Sequence, residues 1–297
     1  MNTVETTTRI SIKNILYATD FSLAAEAALP YVLGLARRYG ARVHALHVRH
    51  PSPYPLVGPE AMPQIMETAE EQAKLDSESM HEMLASVPHE VLNPEGDVWP
   101  SIADVLEKGN IDLIIIGTRG RTGIGRAVLG SVAEEILRRA TCPVLTVGPH
   151  ISPNTKRRLE MKEILCAVDF SPESLAAIPY AVSLAQENQA RLTVLHVIAE
   201  PKVGEFVQPE HYVGSTLRQL RKLVPPDADT WCEPNFMVER GLAAEKIMET
   251  AIAMGTDLIV LGVRNAANRI GTLTHLLRPT AHKVVVQAEC PVLTVRE

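Results

Sequence analysis

The sequence predicts an α/β protein built from two tandem copies of a five-stranded parallel open sheet, with helices on both faces of each sheet. One observation is size: 297 residues exceed one ordinary compact domain, and 46% apolar residues suffice for a core in each half. Another is an internal repeat. The third is the alternation of short apolar runs with helical patterns inside each copy, which is typical of parallel strands joined by crossover helices.

Four segments of the first half recur in the second half in the same order. They are ILYATDFS at 15–22 and ILCAVDFS at 164–171, LHV at 46–48 and 195–197, DLIIIG at 112–117 and DLIVLG at 257–262, and CPVLTV at 142–147 and 290–295. The offsets are 149, 149, 145 and 148 residues, a drift that fits loop insertions and deletions. The chain therefore contains a duplicated domain, with one copy at 1–148, a linker at 149–162 and the other copy at 163–297.

Elements of the first half follow from local patterns. The predicted strands are 13–18, 42–48, about 90–93, 112–117 and 144–147, and the predicted helices are 23–39, 63–86, 100–108 and 132–139. The strands are rich in Val, Ile and Leu and mostly uninterrupted, which is typical of strands buried on both faces. Ser22 and Ser171 stand at N-cap positions after an Asp-Phe pair, and Gly40 ends the first helix.

Composition disfavours several classes of protein. A net charge of -6 and 4% aromatic residues argue against nucleic acid as a partner. No apolar run approaches the ~18 residues of a membrane span, and the first residues lack the layout of a secretory signal, so we expect a cytoplasmic protein with no membrane partner. The four cysteines are widely spread and outside any CxxC pair, and we expect reduced packing thiols.

The most informative segment follows the fourth predicted strand. Five glycines fall within the fifteen residues from Gly117 to Ser131. Glycine lets backbone N–H groups turn towards an anion with no Cβ in the way, and the helix that begins near Ser131 offers first-turn amides and a favourable dipole. Arg119, Arg121 and Arg126 add positive charge, and the loop has no acidic residue. The segment predicts a phosphate site; the alternative is a surface loop with ordinary basic residues.

The first predicted strand ends in a second polar feature, Asp20. Ligands of open parallel sheets bind beyond the carboxyl ends of the strands, so Asp20 and the glycine loop face one crevice if strands one and four are neighbours. The usual phosphate motifs are absent: there is no GxxxxGK[ST], and the GIG at 123–125 follows the fourth strand instead of the first. A dehydrogenase is therefore disfavoured.

These residues resemble the universal stress protein (UspA) superfamily, in particular its tandem two-domain members. The nucleotide signature of that family, G-x2-G-x9-G-[ST], reads here Gly117-x2-Gly120-x9-Gly130-Ser131, with every fixed position filled. The ILYATDFS and CPVLTV segments are similar as well. The resemblance covers nearly the whole chain, once per half.

The resemblance implies a five-stranded parallel sheet of order 3-2-1-4-5, of the adenine nucleotide alpha hydrolase-like type, that binds ATP (or AMP or ADP) with Mg²⁺. It implies that Asp20 contacts the ribose or base and that the backbone of Val48 contacts adenine. The residues implied at the phosphates are Gly117, Arg119, Gly120, Gly130 and Ser131. It also implies pairing of the last strands, here 142–147 with 290–295, as an intramolecular pseudo-dimer. A homodimer of chains and an unidentified protein partner are left open.

The second half departs from this signature. Asn265 stands where a glycine is expected, and Arg278-Pro279 stands where Gly-Ser is expected. Proline has no N–H to give to a phosphate, and the loop is three residues longer. Asp169 and Val197 are retained. We therefore expect an empty or altered second site, with binding of a different anion as the alternative.

The remaining polar candidates favour structural roles. His47 and His196 end apolar strands without partners at metal-ligand spacing, so we expect them to support the fold. Neither Asp20 nor Asp169 has a second carboxylate or a nucleophile at a readable spacing, so no catalytic residue and no metal ligand is predicted.

Three functions fit this sequence. The favoured one is an ATP-binding regulatory or stress-response protein with little or no turnover, because a Walker lysine and a placed acid–base pair are absent. A slow ATP hydrolase or phosphotransferase is the second. A non-catalytic interaction module with vestigial sites is the third.

Overall fold

The computed structural model describes residues 10–49, 62–118, 129–148, 151, 161–199, 209–226, 228, 232, 234–264 and 279–296. The strands are β1 (Asn14–Ala18), β2 (Arg42–Leu46), β3 (His89–Leu92), β4 (Leu113–Gly117), β5 (Val144–Val147), β6 (Glu163–Ala167), β7 (Arg191–Ile198), β8 (Pro234–Arg240), β9 (Leu258–Gly262) and β10 (Val292–Val295). The helices are α1 (Leu23–Tyr39), α2 (Met62–Leu84), α3 (Val98–Lys108), α4 (Ser131–Arg139), α5 (Pro172–Asn188), α6 (Pro209–Arg221), α7 (Ala243–Met254) and α8 (Pro279–Gln287).

Each half forms a parallel five-stranded sheet, and the two sheets join edge to edge. The strand order is β3-β2-β1-β4-β5-β10-β9-β6-β7-β8, so each half has the order 3-2-1-4-5. The α/β fold class and the strand order predicted for both copies are confirmed.

The seam between the halves is the antiparallel pair of β5 with β10, in which Leu145 lies opposite Leu293. Thr146 Oγ1 donates to the Val292 carbonyl at 3.1 Å, and Thr294 Oγ1 donates to the Val144 carbonyl at 3.2 Å. This is the intramolecular pairing that the family resemblance implied, and it covers the last strand of each half, whose backbone groups would otherwise form an open edge.

Helices cover both faces of the sheet, as predicted. One apolar core lies under α1, α2, α5 and α6, and the other lies under α3, α4, α7 and α8. Successive strand residues alternate between these two cores, which explains the uninterrupted apolar runs. No helix in the described part of the chain is long and apolar enough to cross a membrane.

Capping residues set the ends of α1 in the way the sequence indicates. The Ser22 side chain accepts from the Ala25 N–H, the Ser171 side chain does the same for Ser174 at the start of α5, and Gly40 ends α1 with a left-handed φ of 64°. Other boundaries differ from the prediction by one or two residues. α3 begins at Val98 because Asp97 takes the extended N-cap conformation, and Pro100 then falls in the first turn, where its missing N–H costs nothing.

Two strand boundaries were wrong at the edge that matters for the site. β2 ends at Leu46 instead of residue 48, because its pairing with β1 ends at Ala18, while His47 and Arg49 still donate to the β3 side. β3 spans His89–Leu92 instead of about 90–93. The next residue, Asn93, donates its side-chain amide to the Ala73 carbonyl of α2. Most of the predicted linker at 149–162 lies outside the described residues, so the domain boundary stays a prediction.

None of the four cysteines forms a disulfide bond. Burial raises the pKa of Cys142, Cys166 and Cys290 to about 12. Because the thiolate is the nucleophile, these groups are unreactive at neutral pH.

Thiol reactivity provides a direct test of this burial. At pH 8 a thiol of pKa about 12 is roughly one part in ten thousand thiolate, against about a quarter for a free cysteine. In a Cys232→Ser background we expect no reaction with a disulfide reagent over minutes in the native state and three equivalents after denaturation. A fast native-state burst of one equivalent or more would contradict the assignment.

Candidate nucleotide-binding site

The site lies where strand order reverses between β1 and β4. These strands are hydrogen-bonded neighbours, with Ala18 opposite Ile116. Asp20 and the glycine loop therefore follow adjacent strands, as a shared crevice requires. Because both strands run in the same direction, their carboxyl ends open at one edge, the usual ligand position in such sheets.

A tight turn at the end of β1 holds Asp20. Asp20 Oδ1 accepts from the Ser22 N–H at 3.0 Å, and Thr19 Oγ1 accepts from the Phe21 N–H at 3.1 Å. Phe21 has a left-handed φ of 57°, an uncommon conformation for an aromatic residue, and the bonds on either side hold it there. The turn leaves the half-buried Asp20 at the carboxyl edge of the sheet.

His47, the first residue after β2, supports this turn. Its Nδ1 lies 2.8 Å from the Thr19 carbonyl oxygen, and its ring packs on that of Phe21 with centroids 4.8 Å apart. The second half repeats the arrangement with His196, which contacts the Val168 carbonyl at 2.7 Å, and with the ring of Phe170. These contacts match the structural role predicted for both histidines.

Val48 lies just beyond β2 and is half-buried. The N–H groups of His47 and Arg49 donate to carbonyls of the β3 segment, at Leu92 and Pro94. Since successive backbone groups of an extended chain point to opposite sides, the N–H and C=O of Val48 point towards the β1 side. There β1 has already turned away at Asp20, so the backbone of Val48 faces the crevice.

Gly117 ends β4 in close contact with the first turn of α1. A Cβ at this position would lie 2.5 Å from the carbonyl carbon and oxygen of Ala24 and 2.8 Å from the Ala25 nitrogen. The Tyr17 hydroxyl holds the same turn by donating to the Ala25 carbonyl at 2.8 Å, and burial raises the pKa of Tyr17 to about 12, so the hydroxyl stays protonated. Gly117 is therefore required for packing, whatever it does for a ligand.

The two described ends of the glycine loop meet at α4. Gly130 is the N-cap of α4, with an extended conformation (φ −66°, ψ 145°), and its N–H donates to the Thr118 carbonyl at 2.9 Å. Ser131 is the exposed first residue of α4. First-turn amides of a helix have no acceptor within the helix, so this end presents donors with no side chain at the cap position.

Thr118 is a site residue that the sequence analysis missed. It is 2% exposed, and its buried Oγ1 has no hydrogen-bond partner among the described residues. Its N–H donates to the Val147 carbonyl at 3.0 Å, which joins the loop to the end of β5. At the end of an apolar run a threonine gives no signal, but its counterpart in the second half is Val263, which has the same shape and no hydroxyl.

The centre of the loop lies outside the described residues. It contains Arg119, Gly120, Arg121 and Arg126, so the structure does not test their predicted contacts. The described part of the site brings Asp20, Val48, Gly117, Gly130 and Ser131 to one edge of the first sheet.

The second half differs at the same edge. Arg264 is the counterpart of Arg119, and its Nε lies 2.9 Å from Oε1 of Glu173 in the first turn of α5. The first half has Ala24 where the second has Glu173. Burial acts to raise the pKa of Glu173, but hydrogen bonds from its own N–H and from Ser171, together with Arg264, outweigh it and lower the pKa. The second half thus places its own carboxylate beside its loop arginine.

Other features at this edge also differ in the second half. α8 begins at Pro279, the counterpart of Ser131 at the start of α4. Proline has no N–H, so the second half has no donor at the position where Ser131 has one. β7 continues to Ile198, so Val197 lies within the ladder, opposite Glu239 of β8. Asn265 and Arg278 lie outside the described residues. Among the described residues of the whole chain, no group of three or more His, Cys, Asp or Glu side chains is arranged to hold a metal ion.

A family model for the universal stress protein family matches residues 11–148 and again 160–296. The chain belongs to the universal stress protein family. A relative of similar length supports the tandem organisation: a universal stress protein of Mycolicibacterium smegmatis is 25% identical over 291 residues, which cover 95% of this chain and 96% of that protein.

A relative of one half of the chain and a solved structure are also similar. A universal stress protein of Methanocaldococcus jannaschii is 34% identical over 140 residues, 46% of this chain and 81% of that protein. The crystal structure of a universal stress protein from Archaeoglobus fulgidus superposes with a TM-score of 0.68 at 21% identity, covering 95% of this chain and 98% of that one. At this identity the superposition shows the shared fold alone.

Proposed function

We propose that the first half binds one adenine nucleotide, ATP, and that this universal stress protein acts as a nucleotide-dependent regulator with little or no turnover. The observation that carries the proposal is the Gly130 N–H to Thr118 carbonyl bond. It closes the glycine loop at the N-terminus of α4, beside the end of β1. Charge-assisted hydrogen bonds to an oxyanion contribute roughly 1.5–3 kcal/mol each, so a few of them support micromolar binding.

The phosphate end of the proposed site is the loop. The α4 amides and the Ser131 hydroxyl would donate to phosphate oxygens, and Gly130 contributes no side chain that would block their approach. Gly117, Arg119 and Gly120 complete the phosphate contacts in the proposal. Thr118 lies at the base of the same loop, and its Oγ1, which has no partner in the described part of the chain, is proposed as one more donor to phosphate beyond the four fixed signature positions.

The adenine end of the proposed site is the crevice between β1 and β2. The backbone of Val48 would give one donor and one acceptor to the base, and the Asp20 carboxylate would accept from a ribose hydroxyl. The hydrogen-bonded turn at Thr19–Ser22 fixes Asp20 before a ligand arrives, which lowers the entropy lost on binding.

The second half is proposed to hold no nucleotide. Glu173 already forms an ion pair with Arg264, and a phosphate brought to this edge would be repelled by the charge of that carboxylate.

Mg²⁺ in the proposed complex of the first half would be held by phosphate oxygens and water, since the described residues offer no carboxylate cluster at the site. The sequence also has no Walker lysine and no placed acid–base pair, which fits a binding protein better than a hydrolase.

The stoichiometry of binding tests this proposal. Calorimetric titration of nucleotide-free protein with ATP and Mg²⁺ is expected to give close to one ATP per chain. Mass spectrometry of ligand released from freshly purified protein is expected to identify an adenine nucleotide. No binding at millimolar ATP would refute the proposal in favour of a vestigial module, and two tight sites would refute the assignment of the second half. Phosphate release abolished by the Gly130→Asp change would show an enzyme instead of a regulator.

A further inference from the structure

Two histidines meet at the edge of the first half, away from the glycine loop. His81 lies in the last turn of α2 and His89 is the first residue of β3. His81 Nδ1 and His89 Nε2 are 2.9 Å apart, and the ring centroids are 5.1 Å apart with planes inclined by 56°. His81 is exposed and His89 is half-buried, so solvent reaches the pair.

The proton positions follow from the partners. His89 Nδ1 lies 2.9 Å from the Val87 carbonyl oxygen, which can only accept, so the proton of His89 is on Nδ1. His89 Nε2 then carries a lone pair directed at His81, and His81 Nδ1–H is the donor between the rings. A ring N–H donated to a backbone carbonyl is the outer contact that orients metal-binding histidines and raises their basicity.

We propose that His81 and His89 form a binding site for a late first-row divalent metal ion of the class Zn²⁺, Ni²⁺ and Cu²⁺. A metal bound to two imidazole nitrogens at about 2.0–2.1 Å holds them about 3 Å apart, close to the spacing already present. The metal replaces the shared proton. His81 gives the proton on Nδ1 to solvent and takes one from solvent on Nε2, so the ring stays neutral, both rings are neutral ligands and no net proton is released.

Imidazole is the ligand type that this class of metal prefers, and water would complete the coordination. The local charge also favours a cation: Glu78 and Glu82 lie within one turn of His81 on α2, where Glu78 also contacts Lys74 at 3.9 Å. Opposing charges on neighbouring elements are Arg42 at the start of β2 and Arg37 of α1, which donates to Ser86 Oγ at 2.6 Å. A bound metal would join the end of α2 to the edge strand β3.

The test is metal titration of the full chain, purified without a polyhistidine tag and free of nucleotide. Calorimetry with NiCl₂ and ZnCl₂ is expected to show one site that becomes at least tenfold weaker in both His81→Gln and His89→Gln. The control His282→Gln removes another helical histidine, on α8, and is expected to bind as the unmodified protein does.

Electron paramagnetic resonance of the unmodified protein with one equivalent of Cu²⁺ gives an independent measurement. We expect hyperfine coupling to two imidazole nitrogens, reduced to one or none in either variant. Wild-type affinity in His81→Gln or His89→Gln, no binding at millimolar metal, or Cu²⁺ with fewer than two nitrogens in the unmodified protein would each overturn the proposal. None of these readouts depends on nucleotide binding.

Discussion

Replacing Gly130 by aspartate is expected to weaken ATP binding at least 100-fold while leaving the fold intact. The N-cap position of α4 has the extended conformation that aspartate favours, and the new carboxylate would accept from the first-turn amides. Those are the donors that the proposed site offers to phosphate. A carboxylate about 4 Å from a phosphate charge also adds roughly 4 kcal/mol of repulsion at an effective dielectric constant of 20. Calorimetry with ATP measures the effect.

Two controls separate charge, capping and general damage. Gly130→Asn caps the helix with a neutral side chain of similar shape, so it is expected to weaken binding less than Gly130→Asp does. Arg278→Asp places the same carboxylate at the equivalent sequence position of the second half and is expected to leave ATP affinity unchanged. Equal losses in Gly130→Asp and Arg278→Asp, or unchanged affinity in Gly130→Asp, would rule out α4 as the phosphate site.

Replacing Gly262 by alanine is expected to destabilise the protein by about 3 kcal/mol or more, even though the second half is proposed to bind no nucleotide. A Cβ there would lie 2.1 Å from the Glu173 carbonyl oxygen and 2.3 Å from the Ser174 nitrogen. These are backbone atoms of the first turn of α5, which is fixed by its Ser171 cap, so the clash can be relieved only by moving the helix. The midpoint and slope of urea unfolding measure the loss.

The first half provides a graded comparison and the seam provides a control. Gly117→Ala is expected to destabilise somewhat less, because its closest approach would be 2.5 Å. Gly148→Ala would place a Cβ 3.5 Å from the nearest atom, the Ala288 carbonyl oxygen, and is expected to change stability by less than about 0.5 kcal/mol. A neutral Gly262→Ala would mean that the glycine is only a remnant of a former phosphate loop.

Local signals explain why much of the fold was predictable. α1 begins and ends where its Ser22 cap and Gly40 place it, because the cap side chain and the left-handed glycine act within one helical turn. The start of α3 was missed since Pro100 was taken as the first helical residue, whereas the extended Asp97 begins the helix earlier. β3 lies one residue earlier than predicted, and the side chain of Asn93, the residue after it, bonds to α2, 20 positions away, a contact that no local pattern indicates.

Some residues of the candidate site have a local sequence signal and others have none. Gly130 and Ser131 were predicted at the start of a helix because a glycine-rich run that leads into an apolar periodic segment is a local pattern. Thr118 and Glu173 carry no such signal. Glu173 becomes informative only when α5 brings it against Arg264, 91 positions further along the chain.

The sequence by itself determined the duplication, the α/β elements of each half, and the loss of the phosphate signature from the second half, because each of these is written in residue types at short spacing. Tertiary structure decided that β5 and β10 join the halves antiparallel, that Gly117 and Gly262 are packing residues, and that the second half neutralises its loop arginine with its own carboxylate. Those outcomes depend on backbone approach and on charge pairs between segments far apart in the chain, and only the assembled sheet brings such segments together.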